Sequence, residues 1–263
     1  MRKILFLVLL SLPLMSCGSK QPEAGVQLTI LRVGTDATYP PFESVNPATG
    51  RAEGFDIDLM TEICAANGWK PEFVSTAFDA IIPGLTAGKY DVVISAMTIT
   101  PQRAAIVDFS EPYYLAGQSI AVSPRDTLTS CVADLKGKRV GVQLGTTGEL
   151  MAKKMDDVQV YSYDNIGAAF IDMTNGNLDA VLNDYPTTKA YIQTHGQAKI
   201  VGEILSTEHY GIAVRKGDRK LLDIVNRALR ETRQSGRFRE LHLKWFGSPL
   251  PEQPLTVDST VSR

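Results

Sequence analysis

The sequence is poor in the residues on which most catalytic and metal sites depend. It contains three histidines and three cysteines among 263 residues. The histidines His195, His209 and His242 are scattered, and the chain has no GxSxG, HExxH or phosphate-loop motif. Nucleophilic catalysis and zinc binding therefore have no support in the sequence, and neither a cofactor nor a metal is expected.

Positive charge is not in excess either. The chain has 27 lysines and arginines against 29 aspartates and glutamates, for a net charge of -2. Proteins that bind nucleic acid usually carry a basic patch or stripe, so no nucleic-acid partner is expected. Hydrophobic residues make up 44% of the chain, as in an ordinary globular protein, and no internal repeat appears.

The apolar run ILFLVLLSLPLM near the start is too short for a transmembrane helix, which needs roughly 20 residues. It follows Arg2 and Lys3, and this combination predicts an export signal over residues 1–16. The run ends in LMSC, which resembles the lipobox of bacterial lipoproteins and predicts a lipidated Cys17; ordinary secretion is the alternative. Residues 17–26 would tether the protein to the periplasmic side of a bacterial membrane.

Two cysteines remain if Cys17 carries lipid. Cys64 lies on a predicted helix and Cys131 in a predicted loop. Because they are far apart in sequence and fall in different predicted lobes, both are predicted to be buried thiols rather than a disulfide. Residues 250–263 contain two prolines and few apolar side chains, and they are predicted to be a disordered tail.

Apolar runs of strand length alternate with amphipathic helical segments, a pattern typical of a doubly wound α/β protein. The first set runs from the strand LTILRVG, through a helix with an apolar stripe at Phe55, Leu59 and Ile63, to the strand YDVVISAMT. The alternation restarts with the strand KRVGVQL and a helix over TTGELMAKKM, which predicts two lobes. The strand YGIAVRKG and a helical stretch from Lys220 to Trp245, broken near Gly236, are predicted to return to the first lobe. The predicted limits are 27–116 for the first part of lobe 1, 117–208 for lobe 2 and 209–249 for the return to lobe 1.

Four stretches, GTDATYPPFE, GFDIDLMTEI, FDAIIPGL and SAMTITPQR, together resemble the polar amino-acid family of bacterial periplasmic solute-binding proteins, which serve ABC importers. LDAVLNDYP and YGIAVRKG match the same family, so the resemblance extends from about Leu28 to Gly247. It implies a type II periplasmic-binding-protein fold, in which two α/β lobes joined by two crossing segments close on one ligand. The implied partners are a free L-amino acid and a membrane permease, and the implied state is a monomer.

A free amino acid is a zwitterion, so its site needs donors for the carboxylate and acceptors for the ammonium. In TITPQR, Thr100 fits an N-cap and Pro101 fits the first helical position, which places Arg103 in the first turn of a helix. Its guanidinium could clamp a carboxylate there, with Thr98 adding a hydroxyl. A surface arginine is the alternative, and the resemblance favours the clamp.

The turn GTTG, which follows the strand GVQL, offers a second anion site. Gly145 allows a close approach, and Thr146 and Thr147 open a helix whose N–H groups can face an anion. A plain strand-to-helix turn is the alternative. The resemblance implies that Thr147 contacts the ligand carboxylate from the second lobe.

Asp184 follows an apolar strand, at the end where α/β sheets bind ligands. The resemblance implies that it accepts the α-ammonium; an N-cap for the next helix is the alternative. Ser95 and Ala96 end a strand in the first lobe, at positions that contribute backbone oxygens in this family. Many relatives have serine where Ala96 stands, so one hydroxyl contact is lost here.

Tyr39 and Phe78 match the two aromatic positions that hold the ligand side chain in this family; a core role is the alternative for Phe78. Asp36 would accept hydrogen bonds from the far end of that side chain. Gln143 is a further pocket candidate, and it replaces a lysine of the glutamine binders, so a cationic ligand is less unfavourable. Arginine or another basic amino acid is therefore favoured, with glutamine next.

Hinges are expected where the chain crosses between lobes, near Leu115 to Ser119 and Glu208 to Gly211. Two other functions fit the same fold: an enzyme similar to cyclohexadienyl dehydratases, and a sensor module for a membrane receptor. The presence of both Arg103 and Asp184 favours amino-acid binding over catalysis.

Overall fold

The computed structural model describes residues 29–248. The predicted signal peptide, the lipidated Cys17, the tether and the C-terminal tail lie outside the described residues. Within residues 29–248, none of the helices combines the length and the apolar character that crossing a membrane requires.

The first lobe is built on a five-stranded sheet in the order β5-β1-β6-β15-β7. Strands β1 and β5 run parallel, and β15 pairs antiparallel with both β6 and β7. The strands are β1 (Thr29–Thr35), β5 (Trp69–Ser75), β6 (Val92–Val93), β7 (Val107–Phe109) and β15 (Ala213–Arg215). The helices are α1 (Phe55–Ala66), α2 (Phe78–Thr86), α3 (Pro101–Ile106), α7 (Arg219–Gln234) and α8 (Arg237–Phe246). A small sheet is formed by β2 (Thr38–Tyr39), β3 (Glu43–Val45) and β4 (Ala52–Glu53).

The second lobe is built on another five-stranded sheet, in the order β11-β10-β12-β9-β13. Its parallel centre is β11, β10 and β12, while β9 and β13 complete it in antiparallel pairs. The strands are β9 (Gln118–Val122), β10 (Arg139–Gln143), β11 (Gln159–Tyr163), β12 (Ala180–Asp184) and β13 (Lys199–Val201). The helices are α4 (Thr147–Ala152), α5 (Ile166–Thr174) and α6 (Tyr185–His195), with a 3-10 turn at Val132–Leu135.

The chain passes between the two sheets twice. The crossings contain β8 (Tyr114–Ala116) and β14 (Glu208–Tyr210), which pair antiparallel with each other. They overlap the segments predicted as hinges, whose hinge role stays a prediction, and the fold is the two-lobed α/β fold that the sequence predicts. The exact lobe limits given above remain predictions.

Local sequence explains the main helices. Phe55, Leu59 and Ile63 form the predicted stripe of α1, and all three are buried. This helix is followed by Gly68, whose φ of 64° lies in the left-handed region that favours glycine. Gly236, with a φ of 82°, separates α7 from α8, at the predicted break.

Four predictions need correction. The stretch YDVVISAMT is paired as a strand only at Val92–Val93, because the chain leaves the sheet to form the wall of the cavity described below. The helix predicted over TTGELMAKKM ends at Ala152. YGIAVRKG is not one strand, since β14 ends at Tyr210 and β15 begins at Ala213. Cys64 is buried, as predicted, but Cys131 is exposed, because it precedes the 3-10 turn on the surface; both are free thiols.

Candidate ligand-binding site

A cavity lies between the two lobes, at the carboxyl ends of parallel strands from both sheets. It encloses about 290 Å³ between protein atoms, part of which opens to solvent. Every ligand-contact residue predicted from the sequence lines it, together with Glu43, which the sequence analysis missed: Asp36, Tyr39, Glu43, Phe78, Ser95, Ala96, Thr98, Arg103, Gln143, Thr146, Thr147 and Asp184.

Arg103 is placed by the predicted helix start. The Thr100 hydroxyl accepts a hydrogen bond from the Arg103 N–H at 3.2 Å, and Pro101 occupies the first helical position. The guanidinium donates through Nη1 to the Thr98 carbonyl at 2.8 Å and through Nη2 to the Gly145 carbonyl of the other lobe at 3.0 Å. Burial lowers the pKa of Arg103, although the group remains a cation because arginine titrates far above neutral pH.

The guanidinium of Arg103 also stacks on Phe78. Its Cζ atom lies 5.1 Å from the ring centroid, within the range of a cation-π contact. Phe78 is half-buried and packs against the core of the first lobe as well as lining the cavity. Its ring therefore orients the arginine, which is a role that the sequence analysis did not anticipate.

The turn before α4 presents the second lobe to the cavity. Thr146 is the N-cap: its hydroxyl accepts from the Glu149 N–H at 3.1 Å and donates to the Gln143 carbonyl at 2.7 Å. Glu149 also accepts from the Gly145 N–H at 2.8 Å. Because N–H groups of a first helical turn have no partner inside the helix, the N–H of Thr147 is suited to an acceptor in the cavity.

Glu208 connects both lobes to the crossing strands. Its Oε2 atom accepts from the hydroxyls of Thr98, in the first lobe, and Thr147, in the second, each at 2.7 Å. Its Oε1 atom accepts from Ser206 at 2.8 Å and from Gln118 at 3.1 Å. A hydroxyl has one hydrogen to donate, and Thr98 and Thr147 each donate it to Glu208. The hydroxyl that the sequence analysis assigned to the ligand at Thr98 is thus engaged within the protein.

Asp184 lies in the cavity wall at the end of β12. It is 6% exposed, and its carboxylate accepts from the Tyr210 hydroxyl and the Gln118 amide. Burial and the nearby negative charge of Glu208 raise the pKa of Asp184 to about 7. Asp184 does precede α6, but its side chain makes no capping bond within the described chain, so the alternative N-cap role does not account for it.

A second acid, Asp36, also lines the cavity. Its Oδ2 atom accepts from the Gln143 amide of the other lobe at 2.8 Å, and its Oδ1 atom accepts from Thr38 at 2.9 Å. Burial raises the pKa of Asp36, and these two hydrogen bonds oppose the shift. Tyr39 also joins the lobes, because its hydroxyl donates to Asn183 at 2.7 Å.

The wall between these acids is formed by the end of β6. Ser95 accepts from the Asp36 N–H at 2.9 Å and donates to Glu43 at 2.8 Å. Ala96 has a φ of 42°, which is uncommon for a residue other than glycine, and its N–H donates to Asp56 at 2.8 Å. In the stretch YPPFE, Glu43 is simply a charged residue that follows an apolar segment. Nothing in that stretch predicts that its side chain is buried.

The chemistry of the cavity is that of a binding site for a zwitterion. A buried cation, Arg103, and two acids, Asp36 and Asp184, line it on walls from both lobes. No group of three or more histidine, cysteine, aspartate or glutamate side chains in residues 29–248 could hold a metal ion. Fold and cavity together define a two-lobed solute-binding protein.

The chain belongs to the family described as bacterial extracellular solute-binding proteins, family 3, whose model matches residues 31–248. It is 37% identical to the ABC transporter arginine-binding protein 1 of Escherichia coli, over 82% of this chain and 90% of that protein. It is 34% identical to a probable histidine-binding protein of Neisseria gonorrhoeae, over 90% and 91%. It is 47% identical to an ancestral arginine-binding protein with a TM-score of 0.80, over 83% of this chain and 98% of that one; that protein has been solved with arginine and with glutamine bound.

Proposed function

We propose that this protein is the substrate-binding component of an ABC importer for a free polar amino acid, with arginine or another basic amino acid favoured and glutamine next. The observation that carries the proposal is the position of Arg103 and Asp184, which line one cavity from different lobes. A zwitterion can satisfy both at once, whereas neither lobe alone provides both partners. The names of the relatives, which include arginine and histidine binders, support a basic ligand.

The carboxylate end of the ligand is assigned to Arg103 and the turn at Thr146 and Thr147. On binding, a carboxylate would take the guanidinium hydrogen bonds that now go to the carbonyls of Thr98 and Gly145. The guanidinium is a cation in both cases, but a carboxylate adds an opposite charge and can accept two parallel hydrogen bonds, so this exchange is favourable. Since the hydroxyls of Thr98 and Thr147 are engaged by Glu208, backbone N–H groups supply the remaining donors.

The ammonium end is assigned to Asp184, with carbonyl oxygens at Ser95 and Ala96. The side chain of the ligand would extend past Tyr39 and the face of Phe78 that Arg103 leaves free, toward Asp36 and Gln143. Asp36 suits a guanidinium or ammonium at that end. The Gln143 amide offers both a donor and an acceptor, so it also suits the amide of glutamine.

Ligand binding is proposed to stabilise the closed arrangement of the lobes, in which the importer's permease recognises the protein. Residues from both lobes contact the ligand, so only the closed form satisfies all of them. The protein is proposed to work as a monomer whose lobes meet near residues 116 and 208. It is proposed to be exported by its signal peptide and anchored to the membrane through lipid on Cys17.

A thermal-shift panel of the twenty common amino acids and ornithine tests this function. A ligand that binds only the folded protein raises its melting temperature, by an amount that grows with concentration. Arginine, another basic amino acid or glutamine is expected to give the largest rise. An unchanged melting temperature across the panel would contradict the proposal, and turnover of prephenate would favour the dehydratase alternative instead.

A further inference from the structure

Two buried carboxyl groups belong to the cavity wall: Glu43 lines the cavity, and Asp56 accepts from the N–H of Ala96 behind it. Glu43 is 1% exposed and Asp56 is fully buried, and no ion pair within residues 29–248 includes either one. They bond to the consecutive residues Ser95 and Ala96, and each carboxyl group shifts the pKa of the other. Two ionised carboxylates so near each other, away from water, would be strongly unfavourable.

Their hydrogen bonds identify where a proton is needed. Glu43 accepts from Ser95 through Oε1, while Asp56 accepts through Oδ2 from the Ala96 N–H at 2.8 Å and the Tyr113 hydroxyl at 2.7 Å. The other oxygen of each group, Glu43 Oε2 and Asp56 Oδ1, is buried and has no hydrogen-bond partner among the nitrogens and hydroxyls of residues 29–248. One proton held between these two oxygens would satisfy both.

The charges around the pair decide which group holds that proton. Burial and the charge of Asp56 raise the pKa of Glu43 well above its usual range, and the charge of Asp36 adds to this effect. Burial raises the pKa of Asp56 to about 7, while its bonds from Ala96 and Tyr113 oppose the shift. The Tyr113 hydroxyl itself stays neutral, because burial and Asp56 raise its pKa. Asp56 accepts two hydrogen bonds and Glu43 accepts one, so the ionised form is better stabilised at Asp56 and Glu43 is the acid of the pair.

The bonds of the pair run directly into the cavity wall. Asp56 fixes the N–H of Ala96, whose positive φ is unfavourable for a residue with a side chain and needs such support. Glu43 accepts from Ser95, and Ser95 in turn accepts from the Asp36 N–H. A neutral Glu43 also avoids a second negative charge in the wall near Asp36, where the ligand side chain is proposed to end.

We propose that Glu43 and Asp56 share one proton and act as a positioning pair, which holds Ser95, Ala96 and the backbone of Asp36 in the geometry that binds the ligand. The inference rests on the proposed function, because the residues it positions belong to the proposed amino-acid site. The proton itself is a property of the ligand-free protein and can be measured without any ligand.

The first measurement is infrared spectroscopy of the ligand-free protein at about pH 8, where Asp184 is mainly ionised. The wild type is expected to show the C=O stretch of a buried protonated carboxyl group, and Glu43→Gln is expected to lack it. Asp184→Asn is the matched control and is expected to keep the band. Absence of the band in the wild type, or its persistence in Glu43→Gln, would overturn the proposal.

The second measurement compares Glu43→Gln with Glu43→Ala by calorimetric titration with L-arginine. Glutamine retains an acceptor for Ser95 and a donor for Asp56, so its affinity is expected to stay within about threefold of the wild type. Alanine removes both, and the affinity is expected to fall by about tenfold or more. An equal loss of affinity in the two variants would contradict the proposal. If Glu43→Ala does not fold, Glu43→Gln alone decides: a folded Glu43→Gln that loses more than about tenfold in affinity would also contradict the proposal.

These measurements separate this proposal from the proposed function. If the infrared band behaves as expected while no amino acid binds the wild type, the shared proton stands and the amino-acid site is wrong. If L-arginine binds tightly but the band is missing, the amino-acid site stands and the shared proton is wrong.

Discussion

The affinity of this protein for L-arginine is expected to fall as the pH is lowered from 8 to 5. In this structure the pKa of Asp184 is about 7, because the group is buried and Glu208 adds a negative charge nearby. The ligand ammonium favours the carboxylate form, so a protonated Asp184 has to release its proton when the ligand binds. Affinity is therefore highest above pH 7, where the proton has already left.

The size of the effect follows from the pKa. Each pH unit below a pKa costs about 1.36 kcal/mol, so the two units from about 7 down to 5 cost about 2.7 kcal/mol, or a factor of about 100 in affinity. Folding stability without ligand depends on Asp184 in the opposite direction. Because the folded pKa is raised above the unfolded value of about 3.9, this contribution is fully present below pH 4 and is lost as the pH rises through 7.

Calorimetric titration with L-arginine at several pH values measures both the affinity and the protons released. At pH 6 about 0.9 proton should leave per ligand bound, read from the dependence of the binding enthalpy on the ionisation enthalpy of the buffer. Asp184→Asn is the control: it should bind more weakly, with a flatter dependence on pH. An affinity that stays within about threefold from pH 5 to pH 8, with no proton release, would refute the reasoning.

Four further predictions concern single residues. Arg103→Ala is expected to weaken L-arginine binding by about 3 kcal/mol or more, because the ligand carboxylate loses a charged partner. The control is Arg51→Ala, which changes an exposed arginine and should leave the calorimetric affinity unchanged. Equal effects of the two substitutions would contradict the role of Arg103 as the carboxylate clamp. Asp36→Asn is expected to cost L-arginine more than L-glutamine, and equal losses would mean that Asp36 does not read the side chain. Glu208→Gln replaces one carboxylate oxygen by an NH2 group, so either the pair Thr98 and Thr147 or the pair Ser206 and Gln118 loses its acceptor. It should lower the affinity by about 1–3 kcal/mol, and wild-type affinity would exclude a role for Glu208 in closure. Cys17→Ser is expected to release the protein from membranes, and fractionation with membranes despite the substitution would show that lipid on Cys17 is not the anchor.

Local sequence was enough to predict the elements that place the site. The N-cap at Thr100, Pro101 after it and the apolar stripe of α1 depend on residues within a few positions of one another, and the structure contains all three. The predicted cavity residues likewise follow strand ends or open helices. Their positions could be inferred because carboxyl ends of parallel strands meet at one edge of a sheet.

The polar contacts behind the cavity could not be predicted in this way. Glu208 meets Thr98 across 110 positions of sequence, and Glu43 meets Ser95 across 52. Neither acid has a local pattern that distinguishes it from a solvated surface charge. Cys131 illustrates the same limit, because its exposure depends on how a surface turn packs rather than on the residue type.

The measurement that tests the central claim most directly is a calorimetric comparison of L-arginine with agmatine, which has the same guanidinium side chain but no α-carboxylate. The account predicts that L-arginine binds with a dissociation constant of about 1 μM or tighter, and that agmatine binds at least about 100-fold more weakly, because Arg103 and the Thr147 turn lose their partner. Equal affinities for the two compounds, or no binding of L-arginine, would contradict it.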